Sequence, residues 1–214
     1  MKIFEFILAI IFPEHCLSCG EKDTVLCSVC SNRLPRGFSP DQKTLVILDY
    51  SDRRVRKALW LFKYGNRRSL SRVFAELINS SLLEELAELR LVKNFTDPAL
   101  IPMPIGPGRF RERGYSQTEL IARELSKLLE GGATLRTDIL IKSRDTPSQV
   151  KTASRRERLS NLRNSFYVPD KEAVRGQNII LLDDIVTTGA TLAEARAVLK
   201  RAGAKQILSV AVAH

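Results

Sequence analysis

Residues Ile179 to Thr191 read IILLDDIVTTGAT, and few arrangements accommodate that order of parts. Ile179, Ile180, Leu181 and Leu182 form an uninterrupted apolar run. Such a run suits a strand covered on both faces, as in a parallel sheet. Asp183 and Asp184 follow at its carboxyl end, the edge where open α/β sheets bind ligands. Two ionised carboxylates there can accept hydrogen bonds from vicinal sugar hydroxyls. Thr187, Thr188, Gly189, Ala190 and Thr191 then turn the chain into a helix. Its apolar positions Leu192, Ala195, Leu199 and Ala202 keep helical spacing, and Gly203 is the expected stop. First-turn amides, the positive end of the helix dipole and threonine hydroxyls make a phosphate site without a basic side chain.

Acidic strand ends also hold magnesium in response-regulator, Walker B and haloacid-type sites. None of those requires Thr-Thr-Gly-Ala-Thr at this offset from the acids, which favours a ribose-phosphate cradle. The stretch resembles the PRPP-binding motif of type I phosphoribosyltransferases. That resemblance implies that Asp183 and Asp184 bind the ribose 2- and 3-hydroxyls, that residues 187 to 191 wrap the 5-phosphate, and that magnesium accompanies PRPP.

Cys16, Cys19, Cys27 and Cys30 form C-x2-C-x7-C-x2-C and are the four cysteines of the chain. Each C-x2-C pair can place two thiolates on one metal, and four soft sulfur ligands in a closed tetrahedron favour structural zinc. An iron–sulfur cluster is the competing occupant. Two disulfides would suit an exported protein, but no export signal precedes the cysteines. Ile3 to Phe12 is apolar, yet Glu5 interrupts it and Pro13 ends it short of the roughly 20 residues a membrane span needs. We expect it to pack against the chain or a partner. His15 is read as a bystander to the cysteine set.

The 214 residues, 44% of them apolar, can hold one ordinary domain and a small module. We expect the cysteine module over residues 1–40 and the main domain over 41–214, with the Pro/Gly stretch from Leu34 to Pro40 between them. Strands are expected near Leu45 to Leu48, Ala99 to Pro102, Ile139 to Lys142, Ile179 to Leu182 and Gln206 to Val212. Helices are expected near Asp52 to Phe62, Ser69 to Leu91, Ser116 to Leu129 and Ser154 to Arg163, and after the motif. That alternation predicts an α/β fold: a mainly parallel sheet with helices on both faces.

Two polar segments join these elements. Pro104 to Tyr115 reads as a loop in which Arg109, Arg111 and Arg113 could fork onto a pyrophosphate, with solvated surface charge the alternative. Lys142 to Ala153, carrying Lys142, Arg144 and Lys151, reads as a flap beside the site.

RGYSQTELIAR at Arg113 to Arg123, the spaced Arg144, Gln149, Arg158, Asn161 and Phe166, and Phe12-Pro13 before the first C-x2-C are similar to the ComF family. The similarity covers essentially the whole length. It implies a type I phosphoribosyltransferase fold, an N-terminal zinc module, and a cytoplasmic role in bacterial competence, where imported single-stranded DNA is handled. A sister branch is linked to gluconate utilisation, and such proteins are often named amidophosphoribosyltransferases. All four cysteines are engaged elsewhere here, so glutamine-dependent chemistry is disfavoured.

The net charge of +10 draws nucleotides, pyrophosphate or nucleic-acid backbones. Arg53, Arg54, Arg56, Lys57, Lys63, Arg67 and Arg68 interleave with Trp60, Phe62 and Tyr64. These aromatics could stack bases or belong to the core. Three readings stay open: a phosphoribosyltransferase with an unnamed acceptor, a non-catalytic PRPP or nucleotide sensor contacting competence-apparatus proteins, and a single-strand DNA adaptor. The homodimer common among fold relatives is neither implied nor excluded.

Overall fold

The computed structural model describes residues 14–39, 41, 43–143 and 165–214. The apolar start, Arg144 with most of the flap, and the helix expected at Ser154 to Arg163 lie outside them. In chain order the described elements begin with α1 (Ser28–Asn32), β1 (Thr44–Leu48), α2 (Arg53–Tyr64), α3 (Leu70–Lys93) and β2 (Ala99–Pro102). Then come α4 (Pro107–Arg113), α5 (Gln117–Leu128), β3 (Thr134–Leu135), β4 (Ile141–Lys142) and β5 (Phe166–Tyr167). β6 (Asn178–Ile185), α6 (Ala190–Arg201) and β7 (Gln206–Ala213) complete the order.

Five strands pair in the order β1-β7-β6-β2-β3, every neighbour parallel. β6 is central and apolar from Ile179 to Leu182, so successive side chains serve opposite faces. Ile180 and Leu182 join the core formed with α2, α3 and α5, around Phe62, Phe74 and Leu125. Ile179 and Leu181 join a second core with Leu192, Ala195 and Leu199 of α6. The expected helices over both faces are therefore present around a parallel sheet, the α/β arrangement the sequence predicts.

Three details differ from the expectations above. The strand expected at Ile139 to Lys142 begins at Ile141 and pairs antiparallel with β5, apart from the main sheet. Ile139 and Leu140 instead pack into the α6-side core. The expected loop from Pro104 to Tyr115 contains α4: Pro107 presets its first turn, and Gly114 ends it at φ 74°. β6 runs on through Asp183 to Ile185, so both carboxylates belong to the strand itself.

The cysteine segment shares the main core. Leu26 and Leu34 are buried in the same cluster as Ile47 and Leu48. An ion pair between Arg67 and Glu14 at 2.6 Å bridges the same junction. Where the linker runs beside β1, a Cβ on Gly37 would meet the Leu48 carbonyl oxygen at 2.3 Å, so only glycine fits.

Candidate functional site

The cleft at the carboxyl edge of β6 and β2 has a volume of about 590 Å³. Its floor is fixed by strand pairing, since the Met103 amide donates to the Leu182 carbonyl at 2.7 Å. That bond brings Pro104 and Ile105, after β2, beside Asp183. Asp183 and Asp184, with Thr187 and Thr191, line one wall. Lys63, Tyr64, Arg109, Glu112, Arg113 and Lys142 supply most of its other polar lining.

Strand alternation continues through the acids. Asp184 shares the face of Ile180 and Leu182, where it meets Lys63 at 2.8 Å. Its own amide donates to Asp183 Oδ1 at 2.8 Å. Burial, and next the charge of Asp184, push the Asp183 carboxyl up to about 7, although the Asp184 amide, Lys63 and Lys142 pull the other way. Two carboxylates side by side in a poorly hydrated seat cannot both ionise freely.

Beyond Ile185 the chain turns into α6 through Gly189, whose φ of 71° starts the helix. No atom lies within 4 Å of a Cβ built there, so backbone conformation, and not crowding, calls for glycine. Thr188 Oγ1 accepts from the Ala190 amide at 3.5 Å. Thr187 and Thr188 are exposed, and Gly189, Ala190 and Thr191 are half-buried, so a small anion can reach the helix start.

α4 splits the three arginines. Arg109 and Arg113 line the cleft, whereas Arg111 faces a neighbouring recess of about 540 Å³ with Pro107, Phe110, Leu140 and Ile141. Arg113 is held by Gln117 at 3.0 Å and by the Tyr64 hydroxyl at 3.1 Å, and its guanidinium lies 5.0 Å from the Tyr64 ring centroid. In the sequence, Lys63 and Tyr64 belong to a basic-aromatic segment. Nothing in their spacing says that the last turn of α2 reaches the motif acids. A second cavity of about 640 Å³ sits at the opposite, amino edge of the sheet. Its Arg196 is tied to Asp41, Thr44 and Ser209, which marks a structural role.

The four cysteine sulfurs lie within 4.8 Å of one another, so they could hold a metal ion. Cys19 and Cys27 sulfurs are 3.7 Å apart, about the edge of a tetrahedron built on metal–sulfur bonds of roughly 2.3 Å. Burial raises the Cys16 thiol, but amides of Cys19, Cys27 and Ser18 outweigh it and hold the group at about 6, which favours the ligating thiolate.

The phosphoribosyl transferase domain family matches residues 113–214, the stretch that carries the motif. Competence protein F of Haemophilus influenzae is 27% identical over 199 residues, covering 92% of this chain and 82% of that protein. Over most of its length the chain is thus similar to a protein named for competence. DNA utilization protein YhgH of Escherichia coli is 28% identical to this chain over 202 residues, covering 90% of it and 85% of YhgH. Competence protein ComFC of Streptococcus pneumoniae is 26% identical over 200 residues, covering 91% and 78%. The solved allosteric regulatory enzyme of purine biosynthesis is 15% identical, with a TM-score of 0.40 over 71% of this chain and 29% of that enzyme. That likeness is too loose to bear on activity. Among the described residues no helix is long and apolar enough to cross a membrane.

Proposed function

We propose that this ComF-type chain binds PRPP in the β6–α6 cleft and serves the handling of single-stranded DNA taken up in competence, on the cytoplasmic side. The observation that carries the ligand is the convergence of Asp183, Asp184 and the Thr187–Thr191 turn on one cleft with Lys63, Arg109, Arg113 and Lys142. In this reading Asp183 and Asp184 accept from the ribose hydroxyls, and residues 187 to 191 donate to the 5-phosphate. Arg109 and Arg113 approach the pyrophosphate. Magnesium would arrive on the ligand's own pyrophosphate and spread its charge. The biological setting rests on relatives named for competence and DNA utilization. The cysteine cluster would hold one structural zinc.

The recess beside Phe110 favours a second reading, turnover with an acceptor seated next to ribose C1. The acceptor would form a bond to C1 as the bond to pyrophosphate breaks. Pyrophosphate would leave with the electron pair, and the acceptor's proton would pass to solvent. The cleft cations would stabilise the departing charge.

Calorimetry with PRPP and magnesium tests the ligand. Binding that disappears in a folded D183N/D184N double variant supports the cradle, and unchanged affinity in that variant overturns it. Pyrophosphate release over bases, ammonia and single-stranded DNA ends then separates the transferase from the sensor.

A further inference from the structure

We infer that Trp60 and Tyr64 form a stacking platform for unpaired nucleobases of a single DNA strand, laid beside the mouth of the carboxylate cleft. The inference rests on the proposed nucleic-acid role and specifies where the strand runs.

α2 is two-faced. Val55, Ala58, Leu59 and Phe62 are buried against the sheet, each at most 1% exposed. At about 100° per residue, Arg53, Arg56, Lys57, Trp60 and Tyr64 fall within roughly one third of a turn on the opposite side. All five are exposed, with Trp60 at 58% and Tyr64 at 54%. The core could have claimed these rings, yet it claims Phe62 alone. The Trp60 and Tyr64 centroids are 6.0 Å apart, and Arg113 lies against Tyr64 from the other element. Tyr64 and Arg113 also line the cleft.

A solvent-facing Trp-Tyr pair flanked by cations is costly as mere surface, because large apolar area stays in water. It matches a nucleic-acid single strand on both counts. Rings offer π-faces to any base, and Arg53, Arg56 and Lys57 offer charge to the backbone. Duplex DNA hides its base faces and fits only the second feature. Along the helix the cationic end is distal, and the Tyr64 end opens on the cleft.

Trp60 is the one tryptophan of the chain, so its fluorescence reports on this spot alone. Titration with a short oligothymidylate at low salt should quench that emission saturably, and a duplex of equal length should compete weakly. W60L and Y64L should each weaken oligonucleotide binding roughly tenfold, with W60F recovering most of the loss. PRPP calorimetry on W60L should match the parent, since Trp60 lies outside the cleft. Oligonucleotide binding without Trp60 quenching, equal affinity in a folded W60L, or no oligonucleotide binding at all would each overturn the platform while leaving the PRPP reading standing. Loss of PRPP binding in D183N/D184N with oligonucleotide affinity intact would show the two sites to be separable.

Discussion

Lys63 Nζ lies 2.8 Å from Asp184 Oδ2, and the two side chains are 17% and 14% exposed. An ammonium from the last turn of α2 thus stands beside the carboxylates expected to receive ribose. Removing one partner of a mostly buried pair leaves the other charge uncompensated. In K63M, Asp183 and Asp184 would face each other with less relief, and a polyanionic ligand would lose a counterion. PRPP affinity should fall by about tenfold, equivalent to roughly 1.4 kcal/mol, with the fold intact. Calorimetry on K63M checks it, and tighter binding would instead identify Lys63 as a plug that ligand must displace.

The elevated Asp183 carboxyl has a stability consequence with a definite sign. Unfolded, it titrates near 3.9; folded, it holds its proton up to about 7. Between those values the folded chain binds the extra proton, so the group's contribution is full below the unfolded value and is lost as pH rises toward 7. Asn at this position does not titrate. D183N should therefore gain stability relative to the parent as pH is raised from about 5 to about 8, as read from urea midpoints. A difference that stays constant or shrinks over that range would contradict the burial and repulsion described for the pair.

Much of this architecture is legible in the sequence because its signals are local. The run Ile179 to Leu182, the acids after it and the Gly189 turn each act through neighbours in sequence, and β6, its pairing face and α6 follow from them. The cysteine spacing likewise announces a cluster, since two tight knuckles need only a few residues each. What stays hidden depends on contacts across the fold. Lys63 reaches Asp184 only because α2 packs on the face that Ile180 and Leu182 share. The Tyr115 hydroxyl, donating to the Phe62 carbonyl, pins α5's start to α2 across 53 residues, and no periodicity encodes it. The α4 segment reads as loop because glycine, proline and three arginines suggest solvent. Its helix is marked only by Pro107 at the start and Gly114 at the end.

Gly37 tests the junction between the linker and β1. Its φ is not positive, so the demand for glycine is one of space: a Cβ would meet the Leu48 carbonyl oxygen at 2.3 Å and Val46 Cγ1 at 2.6 Å. A backbone oxygen in a β-ladder cannot step aside, so the linker must lift. That would loosen the bonds from Gly37 to Ile47 at 3.2 Å and from Asp49 to Pro35 at 3.0 Å. G37A should cost about 2 kcal/mol or more in urea denaturation, a typical penalty for overpacking. A change within about 0.5 kcal/mol would mean the linker does not seat against β1 as described.

The cysteine cluster should matter to the whole chain and not only to its own loop. Fully burying Leu26 or Leu34 is worth about 1.5–3 kcal/mol each, whereas a structural zinc in such a site supplies roughly 10 kcal/mol or more. The metal would therefore hold residues 16 to 30 in place more strongly than their apolar packing does. Without it, Leu26 and Leu34 would leave a core that also contains Ile47, Leu48 and Phe74. We expect one zinc per chain by elemental analysis. Chelation should lower the thermal midpoint by about 10 °C or more, since losing the burial of Leu26 and Leu34 alone removes roughly 3–6 kcal/mol at about 2–4 °C per kcal/mol. C16S should behave as the chelated parent, since Cys16 is buried and its sulfur accepts the Cys27 amide at 3.5 Å. Visible absorbance in the purified protein would identify an iron–sulfur cluster instead, and an apo chain with an unshifted midpoint would remove the metal from the account of the fold.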